Sequence, residues 1–233
     1  MIEISKVEVV GWRHAIRGMR NPMNSWEQSD TVYLPFSMCD EEEELDLAEK
    51  CGGVAPIIGN KDSSLMENLC KAGTDHRKFM RFIVCYCDIN APIYWWKEAD
   101  TYRFGVEKNS CSTMHKIHAK EFVLDDFSHE HLTPAAKSCL NTIVERLNFA
   151  RKEFLRERTE SDAGMPTAKE YWWDMIQLLP SSYNQKRTVM MSYEAIANMY
   201  HARKNHKLDE WREFCKWVEG LPYFMEIVKG ETE

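Results

Sequence analysis

Apolar residues recur among polar ones from the start of the chain (Ile2, Ile4, then Val7, Val9 and Val10), which predicts a first strand over Ile2–Val10. Gly11–Arg20 then reads as a short helix. Arg20–Pro35 carries Asn21-Pro22 and Asn24-Ser25 and reads as an exposed loop. Ser63 or Ser64 can cap a helix that places Leu65, Leu69 and Cys70 on one face and ends at Gly73. Phe79–Ile89 is a long apolar run rich in β-formers, expected as a buried strand. Pro92 suits the first turn of a helix running through Tyr94, Trp95 and Trp96 to about Arg103. A polar stretch follows over Glu107–Thr113.

Thr133-Pro134 opens the longest helix, with Leu140, Ile143, Leu147, Ala150 and Phe154 at helical spacing. Ser161–Pro166 reads as a linker, and Thr167–Leu179 as a helix stopped by Pro180. Ser192 is placed to cap a helix through Ala202, and Asp209 one through Val218. Helices outnumber strands, so the class is α+β. The tryptophan pairs Trp95-Trp96 and Trp172-Trp173 point to different faces of their helices, which places at least one of each pair at an interface.

Composition narrows the class. With 233 residues, 44% of them hydrophobic, the chain can bury a sizeable core. A net charge of −7 argues against a nucleic-acid binder, which needs a basic stripe. Part of that charge is local, in Asp40–Glu44, a solvated loop or helix start. No apolar run is long enough to span a bilayer. Eight cysteines without a secretory leader imply reduced thiols in a cytoplasm. Cys85 and Cys87 have the wrong spacing for a zinc knuckle and read as small core residues on one strand face, so no metal site is expected.

Several residues, in order and at consistent spacing, resemble the flavin-dependent thymidylate synthase family. Lys61-Asp62, Leu65 and Gly73 lead to His76 as in that family's approach to its helix-to-strand histidine. The run Phe82–Ile89 followed by Ala91-Pro92-Ile93 looks like its strand and helix start. Arg103 stands where the final arginine of an Arg-His-Arg signature falls, and Asn109 and Ser112 resemble the asparagine and serine of the following loop, given one inserted residue. Leu179-Pro180, Asn198, Arg203, Trp211 and Glu213 match a second stretch. The resemblance covers about 61–115 and 177–213. Departures are equally definite: Thr101-Tyr102 replaces the signature's Arg-His, Glu98 a glutamine, Ser110 a glutamate, Met114 an arginine, and Ile176 or Gln177 another. Neutral side chains there remove planar forks that would grip phosphates, and His115, Lys116, Lys186 and Arg187 could compensate only in part.

The resemblance implies one domain over residues 1–233, with a central, mainly antiparallel sheet packed by helices and a long mid-chain helix. It also implies FAD as cofactor, methylene-tetrahydrofolate and NADPH as co-substrates, dUMP or a related pyrimidine nucleotide as substrate, and a homotetramer. Arg203 would serve catalysis by holding the pyrimidine or its phosphate. His76, Arg103, Asn109 and Asn198 would contact flavin, and Ser112 the nucleotide. Plainer readings stand beside these. Arg103 could complement a helix dipole, Arg203 could be solvated, and His76 could be a capping residue. Asn198 could make a buried hydrogen bond, and Ser112 could cap the next helix. Loss of the motif arginines motivates an alternative, a non-catalytic binding or assembly protein that keeps the fold.

Overall fold

A computed structural model of the chain describes residues 2–159 and 166–229. The expected linker therefore lies, apart from Pro166, outside the described residues. The elements run β1 (Glu3–Val10), α1 (Trp12–Arg20), β2 (Val32–Pro35), α2 (Glu42–Lys50), β3 (Val54–Ile57), α3 (Asn60–Lys71), β4 (Val84–Pro92) and α4 (Ile93–Ala99). They continue with β5 (Val106–Ser110), α5 (Thr113–Lys116), α6 (Pro134–Glu157), α7 (Ala168–Gln177), β6 (Asn184–Ser192), α8 (Tyr193–Arg203), α9 (Asp209–Val218) and α10 (Phe224–Lys229). The fold is α+β. A four-stranded, mainly antiparallel sheet has the order β1-β4-β6-β5, and β2 pairs with β3 in a small antiparallel ribbon, Val32 opposite Ile57 and Pro35 opposite Val54.

By contact, the chain divides into two compact units. The smaller comprises Asn90–Ala99 and Ser110–Arg187. Its core is the seam of α6 with α7, where Leu140, Val144, Leu147 and Ala150 meet Tyr171 and Met175. Thr133 caps α6 through Ala136, with Pro134 in the first turn, as its sequence signals. Trp95 and Trp96 are 2% and 1% exposed and meet edge-on at 4.8 Å, so both belong to the core and neither is an interface residue of this chain. Pro92 closes β4 and does not open α4. The first N–H groups of α4, on Ile93 and Tyr94, donate to the carbonyls of Tyr183 and Ser181, extending strand-like pairing past the proline.

The larger unit comprises Ile2–Ile89, Asp100–Asn109 and Thr188–Glu233. Trp12, Ala15, Ile16, Met19 and Arg20 of α1 are buried at helical spacing. Gly11 precedes them at φ 97°, and a Cβ there would stand 1.9 Å from the Phe82 carbonyl oxygen, so only glycine fits. Trp12, Tyr193, Tyr200 and Phe224 form a chain of edge-on rings. Cys85 and Cys87 are buried side by side on β4. All eight cysteines are free.

Asp62, fully buried, organises the stretch expected to be an exposed loop. Its carboxylate accepts from Arg20 Nε at 2.7 Å, from the hydroxyls of Ser29 and Thr31 at 2.7 Å each, and from the backbone N–H groups of Asp30 and Thr31. Asp30 in turn accepts from the backbone N–H groups of Lys61 and Asp62, capping α3 from across the chain. That cap starts α3 at Asn60, ahead of Ser63, and no local sequence signal announces it. β2 likewise replaces the tail of the expected loop, because β3, itself not foreseen, supplies its partner.

Burial alone would raise the Asp62 carboxyl, but hydrogen bonds from Thr31, Ser29 and Arg20, together with the Arg20 charge, outweigh it and hold the group below its ordinary value. A carboxyl so depressed contributes stability at neutral pH that is lost as pH falls through its folded pKa. Asp62→Asn should therefore cost about 3 kcal/mol at neutral pH, as loss of one partner of a buried ion pair does. It should also flatten the loss of stability below about pH 4. Thermal unfolding followed by circular dichroism across that range checks both.

Candidate functional site

The loop after α4 and the start of α8 are tied together. Ser192 caps α8 by accepting from the Ala195 N–H at 3.3 Å, and its own N–H donates to the Gly105 carbonyl at 2.8 Å. Gly105 has φ 70°, and a Cβ on it would lie 2.4 Å from Ser192 Oγ. Most of α8 is buried, Tyr193, Ala195, Ile196, Ala197, Met199 and Tyr200 among them, while Asn198 turns outward. The result is a cleft of about 480 Å³ lined by Arg81, Phe104, Gly105, Ser192, Glu194 and Asn198. Phe104 is 96% exposed, a bare aromatic ring at this cleft.

One wall rests on a buried ion pair. Arg77 meets Glu194 at 3.1 Å between Nε and Oε2, and its Nη2 donates to Oε1 at 3.3 Å, with both side chains largely buried. The pair joins the turn that carries His76 to the first turn of α8. Arg81, four residues further on, donates to the Thr74 carbonyl.

Arg203 leaves α8 at its C-terminal end and is neither buried nor simply solvated. Its Nε donates to the Tyr102 hydroxyl at 3.1 Å, and its guanidinium lies 5.0 Å from the Trp211 ring centre and 5.7 Å from that of Tyr102. Cation–π contacts of this kind contribute about 0.5–2 kcal/mol and hold the side chain in one place. Aromatic walls therefore order the side chain.

The structure separates the residues singled out from sequence. Asn198 lines the cleft and is exposed, so the buried hydrogen bond does not account for it. Arg103 sits in the exposed turn before β5, four residues past the end of α4, and so does not cap that helix. His76 is exposed in the turn after α3, its N–H donating to the Gly73 carbonyl. Neither His76 nor Arg103 lines the cleft, although the neighbours Arg77 and Phe104 bring both turns to it. Asn109 is exposed on β5, an edge strand that the polar stretch Glu107–Thr113 did not announce. Ser112 caps α5, accepting from the His115 N–H at 3.1 Å. It lines a second cavity of about 270 Å³ in the smaller unit, with Lys116, Lys120 and Lys186. Arg187 is engaged elsewhere, its guanidinium 4.2 Å from the Trp96 ring centre. Sequence reasoning missed Arg81, Phe104 and Glu194. The one available signal was their position beside His76, Arg103 and Asn198.

Among the described residues, no group of three or more His, Cys, Asp or Glu could hold a metal ion, and no helix is long and apolar enough to cross a membrane.

The fold, however, has solved counterparts. A structure of thymidylate synthase X from Helicobacter pylori with FAD and dUMP superposes with a TM-score of 0.62 over 100% of both chains, at 14% identity. A structure of the flavin-dependent thymidylate synthase ThyX from Helicobacter pylori complexed with FAD and dUMP gives 0.60 at 15% identity, over 96% of this chain and 97% of that one. The chain thus has a thymidylate synthase X fold. No protein-family model and no curated protein matches its sequence.

Removing Arg77 would leave Glu194 buried without its partner, at a cost of about 3 kcal/mol. Arg77→Ala should therefore lower the urea midpoint markedly, while Phe104→Ala, at an exposed ring, should leave it within experimental error.

Proposed function

We propose that residues 1–233 form one flavin-dependent thymidylate synthase-like domain that binds FAD and a pyrimidine nucleotide, dUMP or a relative. The observation that carries this reading is the full-length likeness to two structures that contain FAD and dUMP, in a chain whose α8 borders an open cleft. The cleft's chemistry fits a flat, polar ring. Asn198 offers both a donor and an acceptor to an imide edge, Phe104 offers an aromatic face, and Arg81 offers a cation. When bound, reduced flavin would supply the hydride that completes one-carbon transfer from methylene-tetrahydrofolate to the uracil ring, with NADPH as the source of reducing equivalents.

The chain's own work is binding and electrostatics. Arg203, fixed between Tyr102 and Trp211, holds the pyrimidine or its phosphate and stabilises negative charge as it develops there. Asn198, Arg103, Asn109 and His76 contact the flavin, and the Ser112 hydroxyl contacts the nucleotide. His76, Arg103, Asn109, Ser112 and Arg203 do not line the Asn198 cleft, and in a homotetramer such residues are supplied to a ligand by neighbouring copies. The exposed rings of Phe82 and Tyr86 support such an assembly. Eight unpaired thiols suit a cytoplasmic setting.

A second reading is a non-catalytic binding protein. It is favoured by Tyr102, which occupies the signature's central position and takes the Arg203 Nε as its donor. Thr101 and Met114 meanwhile supply no guanidinium for a phosphate.

On the first reading the purified protein is yellow and turns over dUMP with methylene-tetrahydrofolate and NADPH. On the second it takes up flavin or nucleotide without turnover. A colourless protein that binds neither ligand on titration overturns both. Arg203→Ala should weaken dUMP binding about tenfold or more, roughly 1.4 kcal/mol, measured by calorimetry. Light scattering should give a mass near four times the chain's 27.4 kDa, and a monomer would remove the shared-site arrangement.

A further inference from the structure

The Asn198 cleft has one acid in its lining, Glu194, and that carboxylate is committed to Arg77 at 3.1 Å. Arg81 lines the same cleft with its charge uncommitted. Its Nη2 donates to the Thr74 carbonyl at 3.4 Å, and no carboxylate pairs with its guanidinium among the described residues. A guanidinium carries five N–H donors in a planar fork, so most of this one is open to a ligand.

The backbone beneath Arg81 is set by buried structure. Arg81 ends a 3-10 turn, Lys78–Arg81, in which Phe79 and Met80 are 2% and 0% exposed. The turn packs on α1 and on α8, the helix that carries Asn198. The N–H groups of Met80 and Phe82 donate to the carbonyls of Arg77 and Phe79, and the Arg77–Glu194 pair ties the start of the turn to α8. The cleft, at about 480 Å³, falls within the roughly 300–1,000 Å³ of small-molecule sites. Thr101, Tyr102 and Met114, at the signature positions, supply no guanidinium to it.

We propose that Arg81 holds the phosphate of a flavin whose ring is left to Asn198 and Phe104, so that the site selects FMN or FAD over riboflavin. This rests on the flavin reading of the cleft and assigns the phosphate grip to a residue outside the family-like signature. The planar fork of arginine matches two phosphate oxygens, and the ion pair with Arg77 offsets the charge of Glu194 beside it.

Fluorescence titration of the full chain with riboflavin, FMN and FAD at fixed ionic strength tests it. FMN and FAD should bind at least tenfold tighter than riboflavin. Arg81→Ala should remove that advantage and leave riboflavin binding unchanged. Arg81→Lys should restore part of it, as a point charge without the fork. Phe104→Ala should instead weaken all three flavins alike. Arg81 and Phe104 are both exposed, so melting curves of the variants should match that of the parent. Equal binding of the three flavins, or an Arg81→Ala variant that keeps the preference, overturns the role of Arg81 and leaves flavin binding standing. An Arg81→Ala variant that loses dUMP and not FMN also overturns it, by moving the cation to the nucleotide. Binding of none of the three flavins overturns the flavin reading, and this proposal with it.

Discussion

The Asp62 carboxylate is the point on which the N-terminal half of the larger unit depends. Burying an ionised carboxyl is unfavourable unless its lone pairs are filled. Here a guanidinium, two hydroxyls and two backbone N–H groups fill them. Those donors come from α1 and from the segment before β2, so one charge holds both against α3. With α3 fixed, the turn that follows it carries Arg77 to Glu194, and the cleft beside α8 has a wall. The order runs from one desolvated charge, through helix placement, to the geometry of the cleft.

Arg77 and Arg203 are held by different means. Arg77 is held by a carboxylate and is therefore neutralised. Arg203 donates through Nε to the Tyr102 phenol and lies over the Trp211 indole, contacts that order its side chain. A guanidinium already ordered loses less conformational freedom on engaging an anion. In the family that the chain resembles, several arginines share such work, whereas this chain has neutral residues at most of those positions.

Sequence periodicity was informative where a helix buries one continuous stripe. α6, α7, α8 and α9 lie close to their expected bounds because caps such as Thr133 and Ser192 are local signals. It failed where the deciding partner is remote in sequence. α3 begins three residues before its serine because Asp30 caps it, and β2 exists because β3 pairs with it. The polar β5 and the polar first half of β6 carry no hydrophobic alternation to betray a strand. The candidate site divides in the same way. Asn198 was legible by its spacing to Arg203. Arg81, Glu194 and Phe104 were not, since what brings them together is the packing of a turn, a loop and a helix start.

Gly105 bears on how such a chain can diverge. Its carbonyl takes the Ser192 N–H, and its missing Cβ makes room for the Ser192 hydroxyl, so a backbone bond anchors the loop to α8 beside the bond that the Tyr102 hydroxyl accepts from Arg203. Arg103 and Phe104 are exposed, and substituting them leaves the Gly105–Ser192 anchor of the helix that carries Asn198 in place. A scaffold joined in this way separates inheritance of shape from inheritance of chemistry: the architecture persists while the reactive vocabulary of the loop is rewritten.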